Sequence, residues 1–180
     1  MAEHSSPSAI GGRMGARGVG ALIASLVRYP ELSSLDFQPE GGDGGRVTLS
    51  FCLRGRLPRD RAAALADALM EVLLTYHHLL RFPLAGDGVA EFTTEYVEPL
   101  TILRLARDIE SLTPDEVGMV IDLLRDQCGV DLLMDPNDFS EDDLLDQEET
   151  IQAALDSLGQ EPGRRLFALR EEGRVLVFNT

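Results

Sequence analysis

Three groups of residues in this 180-residue chain carry side chains able to do chemistry. The first is an acidic run from Asp131 to Glu149. It holds Asp131, Asp135, Asp138, Glu141, Asp142, Asp143, Asp146, Glu148 and Glu149, and no basic residue. Folded segments usually intersperse signs, because like charges repel and each prefers a counter-ion. Such a run needs a partner, a cation or water. Asp135-Pro136-Asn137-Asp138 opens like a calcium loop, but the pattern fails further on. Ser140 stands where the sharp turn requires glycine, and Asp146 where the loop closes on glutamate. No metal is therefore assigned. Residues 131–149 read as an acidic linker running into a helix start. Asp138, Glu141, Asp142, Asp143 and Asp146 are the candidate docking residues for a protein partner with a basic face. Carboxylates in a first helical turn also suit the helix dipole, worth ~0.3–1 kcal/mol each, which tempers the functional reading of Glu141 to Asp143.

The second group is Arg54, Arg56, Arg59 and Arg61, which flank a helix start expected at Pro58. Guanidinium groups near helix-terminal N–H groups can hold a phosphate or a carboxylate. This is a candidate anion site. It could also meet the acidic run of a second copy, so a homo-oligomer is compatible with the charge pattern. Gly11, Gly12, Gly15, Gly18 and Gly20 form no GxGxxG and follow no strand, so no nucleotide cofactor is implied.

The third group is Tyr76-His77-His78. Adjacent helical residues point ~100° apart, so the two histidines do not readily share one metal. There is no HExxH and no i,i+4 histidine pair. A structural or surface role follows. Cys52 and Cys128 show neither a CxxC nor a zinc spacing and read as reduced, buried thiols. No GxSxG is present. With three histidines and no tryptophan, the means for acid–base catalysis or base stacking are thin. No catalytic residue and no cofactor is assigned.

Charge narrows the functional classes. The net charge is −15. Residues 1–65 hold eight Arg against six acids, and residues 66–180 hold eight Arg against twenty-five. That field opposes direct binding to nucleic acid or to an anionic membrane. The absence of lysine reads as the bias of a GC-rich coding genome. No stretch reaches the ~20 apolar residues of a membrane helix. Arg13 and Arg17 precede a short apolar stretch that ends in Arg28 without a convincing cleavage site, so no signal peptide is expected and a reducing cytoplasm is.

The elements that must position these groups follow from periodicity. Ala21 to Tyr29 reads as a helix ending before Pro30. Leu35 and Phe37, a glycine-rich turn, and the strict alternation of Val47, Leu49, Phe51 and Leu53 form a hairpin. A long helix follows, with Leu65, Leu69, Val72, Tyr76 and Leu80 as its apolar face. Phe92, Thr94 and Tyr96 begin a second strand pair broken at Glu98-Pro99. Thr113-Pro114-Asp115-Glu116 is a helix start with a capping box, and Val117, Val120, Ile121, Leu124 and Cys128 make its buried stripe. A fourth helix is expected from Ser140 to Leu158. Leu166–Arg170 and Arg174–Phe178 form a C-terminal hairpin, whose nearly continuous apolar run Val175 to Phe178 predicts a strand covered on both faces.

The result is an α+β fold: an antiparallel sheet built from hairpins with helices packed on it. Strand–strand–helix recurs, and Arg54 to Pro58 resembles Arg107 to Pro114, which makes a duplicated ββα unit a candidate. Residues 1–18 read as a disordered tail and residues 19–180 as a single domain. The functional expectation is a non-enzymatic cytoplasmic module that docks a basic protein. The alternative is a small enzyme or ligand-binding protein with an anion site near Arg54–Arg61.

Overall fold

A computed structural model of the chain describes residues 26–39, 45–80, 90–108, 111–135, 140, 142 and 165–179. Six strands form one sheet: β1 (Leu32–Pro39), β2 (Gly45–Arg54), β3 (Ala90–Val97), β4 (Leu100–Asp108), β5 (Leu166–Glu171) and β6 (Arg174–Asn179). Their order across the sheet is β3-β4-β2-β1-β5-β6, with every neighbouring pair antiparallel. Helices α1 (Arg59–Leu79) and α2 (Pro114–Cys128) follow β2 and β4. The fold is α+β with a C-terminal hairpin, as the alternating patterns predict.

The alternation of β2 sets the register at the centre of the sheet. Val47, Leu49, Phe51 and Leu53 point to one face and are buried there with Leu103 and Leu105 of β4 and Leu32 and Leu35 of β1. A one-residue slip would turn that whole set to the other face, and β2 runs against β4 without a break from Arg46↔Asp108 to Arg54↔Leu100. Leu65, Leu69 and Leu73 of α1 and Val117, Val120, Ile121 and Leu124 of α2 close the same core. The opposite face is more polar. There Arg46 pairs with Glu91 and Arg104 with Glu95, both at 2.6 Å, and Arg165 Nε donates to Asp36 at 2.8 Å.

Two expectations for the helices change. The buried face of α1 is Leu65, Leu69, Leu73 and His77, spaced by four, while Leu80 is 43% exposed. A histidine holds an apolar position because polar partners await it inside. In α2, Thr113 Oγ1 accepts from Glu116 N–H at 3.2 Å, which is half of the capping box. The reciprocal half is absent because the Glu116 carboxylate turns into the core.

Past α2, a 3-10 turn (Gly129–Asp131) leads to a short stretch stitched to the sheet. Leu133 N–H donates to Cys52 O, and Asp135 N–H to Pro30 O. The Asp135 carboxylate accepts from Gly173 N–H at 2.6 Å, which ties it to the β5–β6 turn. The beginning of the acidic run is thus part of the fold. The tail at 1–18 and most of the helix expected over 140–158 lie outside the described residues. Among the described residues no helix is long and apolar enough to cross a membrane.

The C-terminal run differs from expectation. β6 is an edge strand with one side of its backbone facing away from β5. Val175 and Val177 pack against the core, whereas Leu176 and Phe178 are exposed at 36% and 47%. The apolar run is therefore two-faced in composition but one-sided in burial.

Candidate functional site

Of the acidic docking candidates, Asp142 is described, as an exposed helical residue. Asp138, Glu141, Asp143 and Asp146 lie outside the described residues. No group of three His, Cys, Asp or Glu side chains able to hold a metal occurs among the described residues.

The arginines predicted at the start of α1 are brought together. Arg54 ends β2, Arg56 follows in the connection, and Arg61 lies in the first turns of α1. All three line one pocket of about 50 Å³, whose walls include Pro58, Cys128 and Asp131. Arg59 is exposed nearby but does not line it. The connection is firmly held. Gly55 takes φ +77°, a left-handed conformation that favours glycine. The buried Thr101 hydroxyl donates to Gly55 O at 2.7 Å and accepts Leu57 N–H at 3.0 Å, and Gly55 N–H donates to Pro99 O at 2.9 Å. The Arg56 guanidinium stacks on the Tyr96 ring at 4.5 Å. Arg61 Nη2 donates to Gln127 O at 3.1 Å. Burial pushes the Cys128 thiol up in pKa; Arg61 partly offsets this and Asp131 adds to it.

His77 belongs to a different cluster, sealed inside. Arg107, Glu116 and His77 are 0%, 0% and 2% exposed. Arg107 Nε donates to Glu116 Oε1 at 2.6 Å and Nη2 to Oε2 at 3.0 Å. This is the bidentate fork geometry that favours Arg–carboxylate pairs. His77 Nε2 lies 2.7 Å from Glu116 Oε2, so that nitrogen carries the donated proton. Arg107 Nη1 reaches Asp108 Oδ1 at 2.8 Å, and the Ser111 hydroxyl donates to Asp108 Oδ2 at 2.5 Å. Burial resists ionisation of Asp108, but the Ser111 hydroxyl and Arg107 outweigh it and hold the carboxyl below its ordinary range. Tyr76 Oη meets Thr113 Oγ1 at 2.9 Å above the cluster. The three charged or titratable groups bridge β4, α1 and α2, so they lock helices to sheet. Sequence reading missed Arg107 and Glu116. The signal was present, since both fall on apolar beats of their elements.

A further surface emerges only from the sheet order. On the outer face of the β5–β6 hairpin, Phe167 lies opposite Phe178 and Leu169 opposite Leu176. The turn beside them carries exposed Glu171 and Glu172.

No family model, curated protein or solved structure matches the chain. The fold and its surfaces define it as an acidic α+β protein with a central antiparallel sheet.

Proposed function

We propose that the chain is a non-enzymatic cytoplasmic interaction module that docks a protein partner with a basic face. The observation that carries this reading is the outer face of the β5–β6 hairpin. Four large apolar side chains face the same way on the last two strands, and two of them, Leu176 and Phe178, are markedly exposed. Apolar side chains grouped on one surface mark interaction sites more often than scattered ones do. Edge strands are usually blunted by charge, proline or a bulge. β6 carries none of these between Val175 and Phe178. The net charge of −15 then selects among partners. It speeds the approach of a basic surface and repels an acidic one. The contact area is apolar, and the acidic residues, Asp138 to Asp146 included, supply the steering.

The test is affinity capture from the native host with the wild-type chain, a Leu176→Ser/Phe178→Ser variant, and a variant neutralised at Asp138, Glu141, Asp142, Asp143 and Asp146. The captured protein should be basic. The hairpin variant should lose it, and the neutralised variant should hold it more weakly. Binding should weaken from about 50 to 500 mM salt, a range over which the Debye length drops several-fold. Equal capture by all three chains at both salts would defeat the proposal.

A further inference from the structure

We propose that the pocket between the end of β2, the start of α1 and the end of α2 binds the phosphate head group of a small phosphomonoester through Arg54, Arg56 and Arg61. The inference is independent of the docking reading and concerns a different surface.

The first argument is the pattern of ion pairing. The chain carries 31 acids against 16 arginines, so carboxylates are plentiful. Arg46, Arg104, Arg107, Arg125 and Arg165 each bond at least one. Arg54, Arg56 and Arg61 bond none among the described residues, although they gather around a single cavity. Like charges brought together repel, and an acidic protein has ample means to neutralise them. A cluster of unneutralised guanidiniums at a concave site is what an anion-binding pocket requires.

The second argument is preorganisation. Thr101 and the left-handed Gly55 fix the backbone between Arg54 and Leu57. The Tyr96 ring, 4.5 Å from the Arg56 guanidinium carbon, holds that side chain at the pocket. The bond to Gln127 O anchors Arg61 through one nitrogen. Side chains and loops already held in place lose less entropy on binding. Helix α1, 21 residues long, also starts at the pocket wall. Its first N–H groups lack intrahelical acceptors, and its dipole favours an anion at that end.

Size and charge identify the ligand. A space of about 50 Å³ is ample for an oxyanion group, since a water needs only ~10–15 Å³ on the same measure. Three guanidiniums and the Asp131 carboxylate give the lining a net +2. A phosphomonoester carries roughly −1.5 to −2 at pH 7, which matches better than the single charge of a carboxylate. The Cys128 thiol, raised by burial, adds no opposing charge.

The test is titration of the full chain with inorganic phosphate, phenyl phosphate and acetate, followed by backbone amide NMR shifts. Both phosphates should give saturable shifts centred on Arg54 to Arg61, with acetate at least about tenfold weaker. Arg54→Gln and Arg61→Gln should each weaken phenyl phosphate by about tenfold or more, the equivalent of one charge-assisted hydrogen bond. Arg54 is exposed and without a described partner, so its variant should keep the wild-type melting temperature. Arg104→Gln, at an arginine already paired with Glu95, should bind as the wild type does. Absence of saturable shifts, acetate binding as tightly as phosphate, failure of phenyl phosphate to bind, or undiminished binding by the Arg54 and Arg61 variants would each overturn the assignment.

Discussion

Replacing Glu116 by glutamine should destabilise the protein severely, although the change is nearly isosteric. Glu116 is fully buried and accepts three contacts: Arg107 Nε at 2.6 Å on Oε1, Arg107 Nη2 at 3.0 Å and His77 Nε2 at 2.7 Å on Oε2. A glutamine keeps one acceptor oxygen and turns the other position into an NH₂ donor facing donors. It also removes the charge that balances Arg107 in the interior, leaving Asp108, 39% exposed, as the nearest carboxylate. Removing one partner of a buried pair costs ~3–5 kcal/mol, because the other is left uncompensated. For a chain of this size ~1 kcal/mol lowers Tm by ~2–4 °C, so a drop of roughly 6–20 °C is expected. Urea unfolding followed by circular dichroism measures the same loss as a free energy. The paired variant Arg107→Met/Glu116→Leu should recover most of it, since exchanging a whole buried ion pair for apolar side chains is often neutral. What remains should reflect the lost His77 acceptor, ~1–3 kcal/mol. A loss below about 1 kcal/mol for Glu116→Gln, or a paired variant no better than the single one, would refute the claim that this fork locks the helices to the sheet.

Leu69→Ala, in the middle of the buried stripe of α1, should cost ~2–5 kcal/mol in urea unfolding. Thr101→Val should cost ~1–3 kcal/mol by leaving Leu57 N–H and Gly55 O without their partner, and amide exchange should quicken at Gly55 to Leu57 in particular. Glu172→Asn should raise Tm by a few degrees, because Glu172 and Gly173 both have positive φ, as a type I′ turn demands, and Asn-Gly suits that turn best. The Asp36 carboxyl is lowered chiefly by its hydrogen bond to Arg165, against burial, and Asp108 is lowered as described. Both folded pKa values lie below the unfolded ones, so their contribution is present above about pH 4 and is lost as pH falls through the folded values. Melting scans should show stability declining below about pH 4, with the decline shallower in Asp36→Asn.

What could be read from the residues in advance was whatever depends on local period and local turns. The alternation over Val47 to Leu53 has one solution, since one face must be buried. Thr113-Pro114 marks the start of α2 through chemistry confined to four residues. The arginines around Pro58 were visible as a cluster for the same reason. Their pocket was not, because Cys128 and Asp131 reach it only through the packing of α2 and the bridge between Leu53 and Leu132. The buried fork escaped notice because apolar patterning discounts charged residues. Arg107 and Glu116 sit where hydrophobes belong, and each is tolerable there only with the other in place. The last strand misled in the opposite way. Its run of apolar residues suggested cover on both faces, yet the strand lies at the edge of the sheet, a fact decided by the pairing of β1 with β5 far away in the chain.

That distant pairing has a consequence for how the chain is made. Asp36 in β1 and Arg165 just before β5 bond across 129 positions. A ribosome adding about 5–20 residues per second needs roughly 6–26 s to travel that distance. During this interval the β1–β2–α1 and β3–β4–α2 portions can already associate, because their pairings are closer in sequence. The side of β1 that β5 covers, with Leu35 on its core face, has meanwhile no partner among the described residues. Nascent chains on one messenger therefore present identical open edges to one another until the final hairpin emerges and closes them. The fifteen described residues at 165–179 thus act as a stopper fitted last. Slow translation or truncation ahead of them should favour strand exchange between nascent copies.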